Sequence, residues 1–448
     1  MKKVTLLLII TANCSLFAQT NPAITSWLKN TTGITGRHYV SGNPTPIVDA
    51  VLANVQTVQY SSNWVYVTTN GIPAYITGPF LDGNPSLATS QAGAIFKMPL
   101  NPTQNTGTLT ATTGGNIGLF INGVALFDYR DGVSWKNSTS SLAGGPTGGT
   151  GDGKWNRDAV VGERGGFDCA KAHPAMGNYH HHQNPSAFNL DLTVISTVCS
   201  TYPSDGLYVI NTTQHSPLLG FTYDGFPIYG AYGYANIDGT GGIVRIKSGY
   251  QYRNITTRTV WADDTDVLDG PAVSTTYPLG YFREDYEFVS HPSDPSYLDI
   301  HNGRFCVTPE YPAGIYCYFA TVDANHNSAY PYVVGPTFYG NKTAVKVTSI
   351  TETTTQYTLS TADYNLSSLN IKIYPNPAQD FIAIQSDVIE EDLNVTLIDE
   401  LGKVIQTNKI LQGSTLAIIE TNSLYNGVYF VKVASPKYNK TFKIIVHK

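Results

Sequence analysis

Tyr179-His180-His181-His182, preceded by Met176-Gly177-Asn178 and by His173, concentrates imidazoles in one short stretch of chain. Neutral imidazole is the commonest metal ligand, so such a concentration points first to a metal site. On a strand from Asn178 to His182 the side chains alternate, placing His180 and His182 on one face and Tyr179 and His181 on the other. Two imidazoles on one face can share an ion. A turn through Pro174, Ala175, Met176 and Gly177 brings His173 across as a third nitrogen, and His215 is a candidate fourth. Nitrogen ligands of this kind suit tetrahedral zinc or copper, whereas calcium or magnesium would want oxygens. The competing reading is a solvated histidine run, or rings buried and hydrogen-bonded for structure.

Asp168 and Asp224 are candidates to hold imidazole N–H groups, or to act as a general base beside an open coordination position, and His181 joins them as an acid-base candidate. Asp224 sits in Tyr223-Asp224-Gly225, and Asp-Gly is equally an ordinary turn. Tyr229, Tyr232 and Tyr234 read as core or surface aromatics. The carboxylates of Asp263, Asp264, Asp266 and Asp269 could hold calcium in one loop, although the Gly and terminal Glu of an EF-hand are missing. The Gly-rich run from Gly144 to Gly153 lacks the Lys-Ser/Thr of a P-loop and reads as a surface loop. The histidine block contains no Gly-x-Ser-x-Gly nucleophile elbow.

Positioning these side chains falls to β structure. Thirty tyrosines, 41 glycines and 25 prolines, with alternating β-branched stretches, predict a mainly β chain of many turns. Strand-like segments include Asn63–Val67 and Ala94–Met98. No linker separates them from the histidines, so residues 19–340 read as one domain of packed β-sheets. Residues 341–368 are rich in Ser and Thr and read as a linker. Beyond it, residues 369–448 carry Ile371–Tyr374, Phe381–Ile384, Val395–Ile398, Val428–Val433 and Phe442–Val446, each the length of a strand in a small immunoglobulin-like sandwich. Asp399–Lys403 reads as a hairpin turn.

Met1-Lys2-Lys3, the apolar run Val4–Ile10 and Ser15-Leu16-Phe17-Ala18 make residues 1–18 a signal peptide. No later stretch approaches the ~20 apolar residues of a membrane-spanning helix. Losing Lys2 and Lys3 takes the formal charge from -6 to -8. That balance gives no electrostatic reason to expect a nucleic-acid partner. In an oxidising compartment the remaining Cys169, Cys199, Cys306 and Cys317 suggest two disulfides, with the local pairs Cys169–Cys199 and Cys306–Cys317 favoured among three connectivities. The alternative makes Cys169 a thiolate ligand beside His173.

Two resemblances add to this. Tyr374-Pro375-Asn376-Pro377, Leu401-Gly402-Lys403-Val404, Leu424–Tyr429 and the basic end at Lys443 and Lys448 resemble the type A C-terminal sorting domain of the Bacteroidetes type IX secretion system. The resemblance implies an address read by that machinery, usually removed, leaving the cargo released or attached to surface polysaccharide. Phe167-Asp168-Cys169, His173-Pro174, Gly177–His182, His215–Gly220, Asp224–Gly230 and Asn302–Phe305 resemble the YHYH-domain family over roughly residues 115–340. The second tyrosine of the namesake motif is His181 here, and Ile300 stands where related sequences often carry Glu. Both motif histidines survive.

The chain therefore reads as an extracellular or cell-surface metal-binding protein, its zinc or copper either structural or serving a hydrolytic or oxidative enzyme. The alternative is an adhesion or glycan-binding module, supported by tyrosine, asparagine, Trp64, Trp135 and Trp155.

Overall fold

The computed structural model describes residues 21–82, 92–358 and 371–448, apart from 387–388, 390–391, 401 and 436–437. The expected signal peptide and the second part of the expected linker lie outside the described residues. Two compact units divide the chain, with the boundary after Tyr357. Among the described residues no helix is long and apolar enough to cross a membrane.

In the first unit, alternating side chains turn Val58, Val65, Val67, Phe96 and Met98 to one buried face. Their strands form a five-stranded antiparallel sheet in the order Val345–Val347, Ala94–Pro99, Trp64–Thr69, Val55–Tyr60, Thr355–Gln356. An eight-stranded mixed sheet shares its core, contributing Leu119, Phe221, Ile228 and Phe319. The histidine strand Asn178–His181 lies second from one edge of this larger sheet, between Ala172–Ala175 and Ala125–Phe127. Val345–Val347 and Thr355–Gln356 correct the linker expected over 341–368: both pair onto the five-stranded sheet. They are exposed and short, so they bury no apolar face that would mark them as strands.

Trp135 and Trp155 are buried in a separate small cluster with Phe282, so neither is placed to contact a glycan at the surface. Trp64 is half-buried, its ring under the Lys97 ammonium at 4.1 Å. Beside that cluster the irregular chain from Arg253 to Asp285 is organised by Arg258, whose side chain is fully buried. Its Nε and Nη2 donate to the Asp285 carboxylate at 2.6 and 2.8 Å, and Nη1 donates to Pro271 O at 2.7 Å.

The second unit packs three strands, Lys372–Tyr374, Phe381–Gln385 and Leu416–Glu420, with four, in the order Val404–Ile410, Leu393–Asp399, Gly427–Ser435, Tyr438–Val446. Its own core holds Ile384, Leu397, Val431 and Ile444. The seven strands make the small sandwich expected from the sequence. Asp399 and Lys403 close the hairpin turn, with Gly402 at φ 85°.

Candidate metal centre

Ala172–Ala175 and Asn178–His181 are joined by a two-residue turn in which Met176 and Gly177 both take positive φ, 46° and 83°. This is the type I′ geometry that matches the twist of the flanking strands. The register sets His173 directly opposite His180. Alternation does the rest: Nε2 of His180 and of His182 lie 3.0 Å apart.

The fourth group comes from elsewhere. Asp158 caps the helix Ala159–Glu163, accepting from Val160 N at 2.8 Å, and the end of that helix places Glu163 over the hairpin. Glu163 Oε2 lies 3.1 Å from His173 Nε2 and 3.0 Å from His182 Nε2. One ligand atom from each of Glu163, His173, His180 and His182 falls within 4.8 Å of all the others. A tetrahedral site with bonds of about 2.0–2.1 Å has edges of about 3.3–3.4 Å, close to the shortest of these separations.

Each imidazole is held from behind. His180 Nδ1 donates to Asn178 O at 2.8 Å, and His182 Nδ1 donates to Asp128 O. Carbonyl oxygens only accept, so both Nδ1 atoms carry the proton and both Nε2 atoms present lone pairs to each other. His173 Nδ1 faces Asp82 Oδ2 at 3.3 Å. Phe127 stacks on His180 at 3.8 Å and Phe167 meets His173 edge-on at 4.9 Å. Burial, reinforced by His182 and His173, pushes the His180 imidazole far below its usual range. Burial raises the Glu163 carboxyl, but contacts with His173 and His182 outweigh it and hold the group below the usual carboxylate range. Glu163 Oε2 and His173 Nε2 are at hydrogen-bond distance but not in hydrogen-bond direction, so both are buried without a directed partner.

Several expected participants stand elsewhere. His215 does not join the cluster: its Nδ1 is tied to Ser216 O at 2.7 Å and its ring packs on Tyr229 and Tyr234. His181 faces away, with Nε2 against Tyr75 Oη at 2.8 Å, and burial lowers its pKa to about 3. Asp168 supports no imidazole; it accepts from Gly78 N at 2.9 Å and Tyr179 Oη at 2.8 Å, and burial pushes its pKa up to about 7. Asp224 likewise serves the fold, accepting from Thr222 Oγ1, from Tyr318 Oη at 2.7 Å and from Gly340 N at 2.8 Å. The acidic loop does not gather its carboxylates: Asp263 caps Thr265 N at 3.1 Å, and no ligand cluster forms there among the described residues.

Cys169–Cys199 is a disulfide closing a sequence separation of 30 residues around the histidine hairpin, which removes the thiolate-ligand reading of Cys169. A closed loop of that size contributes about 3–4 kcal/mol on the chain-entropy account. Cys306 and Cys317 correct the second expected bridge, because both are free thiols. Cys306 stands opposite Ile315 and Cys317 opposite Arg304, so the two thiols are diagonal neighbours rather than facing partners. The thiol–thiol contact pulls the Cys306 pKa down, while burial pushes the Cys317 thiol well up.

A many-sheeted β domain carrying a buried histidine hairpin, followed by a separate seven-stranded sandwich, defines a class of two-unit β protein. The chain belongs to the YHYH family: the model for YHYH proteins matches residues 95–331. Residues 372–447 match the secretion system C-terminal sorting domain. That domain directs the protein to the outside of the cell or its surface through type IX secretion. No curated protein matches the chain. Among solved structures, a report titled as structural and functional probing of PorZ, a bacterial surface component of the type IX secretion system of Porphyromonas gingivalis, aligns at 11% identity. The alignment covers 91% of this chain and 53% of that one, at a TM-score of 0.15, too low to establish a shared fold. This chain spans about half the length of that protein.

A chain ending at Tyr357 is expected to keep the melting transition of the first unit but to accumulate in the periplasm instead of reaching the surface or medium. Fractionation with calorimetry checks both halves; normal export of the truncated chain would contradict the role of residues 372–447.

Proposed function

We propose that this YHYH protein is a secreted metal-binding protein that holds one zinc or copper ion through His173, His180, His182 and Glu163. The observation that carries the reading is the 3.0 Å approach of the His180 and His182 Nε2 atoms, each with its Nδ1 proton committed to a carbonyl. Two lone pairs at that distance repel unless a cation lies between them, and three imidazoles with a carboxylate form a donor set that zinc and copper accept. The carboxylate balances one charge of a divalent ion inside a site whose imidazole side chains are 1–6% exposed.

Four protein ligands complete a tetrahedral shell, which favours an ion kept for structure or sequestration. Metal-dependent catalysis requires an open position, and Glu163, with its side chain 23% exposed, is the ligand best able to leave one. The test is elemental analysis of the protein purified without a histidine tag, with titration of zinc and copper into chelator-treated protein. About one equivalent of either metal, and a rise in melting temperature on adding it, is expected. Protein that carries no metal and takes up neither ion would overturn the reading.

The outer partner is testable separately. Asp82→Ala is expected to weaken metal affinity about 10–100-fold, as losses of second-layer carboxylates do, because His173 then loses the acceptor that orients its ring. Chelator competition measures this; an unchanged affinity would show that Asp82 does not orient His173.

A further inference from the structure

The charged end of Lys171 is shut away from solvent. Its side chain and that of Asp191 are each 1% exposed, and Nζ lies 2.5 Å from Asp191 Oδ1. The backbone of Lys171 takes φ 64°, a conformation that costs free energy for a residue with a Cβ and persists only where the surroundings impose it. Those surroundings hold both partners. Lys171 N donates to Asp168 O at 2.9 Å, and Ser186 Oγ, itself the acceptor of Asn184 Nδ2 at 2.8 Å, accepts from Nζ at 3.3 Å. Asp191 follows the single turn Phe188–Leu190, which Phe188 N ties to Cys169 O at 2.8 Å, two residues before Lys171. The Phe188 ring lies 5.5 Å from Nζ. Asp191 Oδ2 is buried with no partner.

An ion pair buried this deeply is unfavourable, because both charges lose their water and only one oxygen of the carboxylate is engaged. Burial pushes the Asp191 carboxyl up, towards its neutral form. Passing one proton from Nζ to the carboxylate removes both charges and leaves an amine against a carboxylic acid. Those are the two halves of an amide. In water they stay ionised and do not combine, but here solvent is excluded and the groups are held in contact, an arrangement that gives intramolecular partners effective concentrations of about 10⁵–10⁸ M. The Nζ lone pair attacks Asp191 Cγ, a C–N bond forms and one C–O bond breaks. The departing oxygen leaves as water, carrying the carboxyl proton and one proton from the nitrogen. Nothing is oxidised or reduced, and no co-reactant is needed. The cavity that Asp191 lines together with Arg164 and Asn327 receives the water.

We propose that Lys171 and Asp191 are joined by an intramolecular amide bond that the folded chain forms on itself. The bond spans both strands of the histidine hairpin, Ala172–Ala175 and Asn178–His181, and lies inside the loop closed by Cys169–Cys199. It holds the hairpin even when that disulfide is reduced. The sequence supplies a direct test, since the next Lys or Arg after Lys171 is Arg245. Trypsin acting on the reduced and denatured full chain cuts after a free Lys171 but not after one whose amine is acylated. Mass spectrometry is expected to find residues 165–245 as one species, lighter than its calculated mass by one water, with fragmentation placing the link between Lys171 and Asp191. Asp191→Ala should restore both the calculated mass and the cut, and the wild type decides by itself should that variant fold poorly. Wild-type peptides 165–171 and 172–245 at their full masses would overturn the proposal and leave an ordinary buried ion pair. Loss of water with the cut after Lys171 retained would overturn it as well, because the dehydration would then lie elsewhere.

Discussion

Protein carrying His180→Ala and His182→Ala together is expected to lose bound metal completely, falling from about one equivalent to background in elemental analysis. The remaining donors, His173 and Glu163, come from separate segments and offer two bonds in place of four. Loss of a supporting outer residue costs about 10–100-fold in affinity; loss of two direct ligands is expected to cost roughly a thousandfold or more. A metal present at a thousand times its dissociation constant stabilises the folded state by about 4 kcal/mol, so the wild type alone should melt higher when zinc or copper is added. His181→Ala supplies the internal control. That ring points to Tyr75 and Phe120, so its removal should disturb packing while leaving metal content intact. If His181→Ala empties the site as fully as the double variant does, the alternation of faces along the strand is not what gathers the ligands.

The largest effect on stability is expected at Arg258. Its guanidinium joins Asp285 to three backbone carbonyls, those of Pro271, Tyr277 and Pro278, and Asp285 in turn accepts from Gly280 N and Phe282 N at 3.0 and 3.1 Å. Arg258→Ala strands a buried carboxylate and three carbonyls at once. Removing one partner of a buried ion pair costs about 3–5 kcal/mol, and the orphaned carbonyls place this variant at or beyond the upper end. Denaturant unfolding measures the loss. Adding Asp285→Asn should recover part of it by removing the unpaired charge; a single variant that loses less than about 1 kcal/mol would contradict the assignment of this pair as the organiser of residues 253–285.

The hairpin could be read from sequence because two local rules suffice. A period of two separates His180 and His182 from Tyr179 and His181, and a turn ending in Met176-Gly177 returns His173 to the same place. Replacement of the second motif tyrosine by His181 leaves the cluster untouched for the same reason. Glu163 was not legible. It has no fixed spacing from the histidines, and it arrives through a helix of five residues capped by Asp158. The capping pattern at Asp158 was a usable signal for the helix, though not for its position. His215 failed in the opposite way, since its residue type was right but its ring is anchored by its own neighbour Ser216.

Register explains the cysteine correction. The turn between the two strands was legible, but which residue faces which was not, and an offset of two positions leaves Cys306 beside Ile315. In the second unit, five strands carry enough apolar residues to be recognised. Val404–Ile410 is exposed along nearly its whole length, and Leu416–Glu420 buries little beyond Ile419, so neither offered a clear alternating pattern.

The five-stranded sheet joins the two ends of the first unit: Thr355 pairs with Tyr60 and Val345 with Lys97. Such distant partners make assembly slow, because the intervening chain must be present before the sheet can close. Residues 345–347 and 355–356 lie on its two outer sides, so a chain cut before Val345 would leave both of those edges, along Ala94–Pro99 and Val55–Tyr60, without their pairing partners.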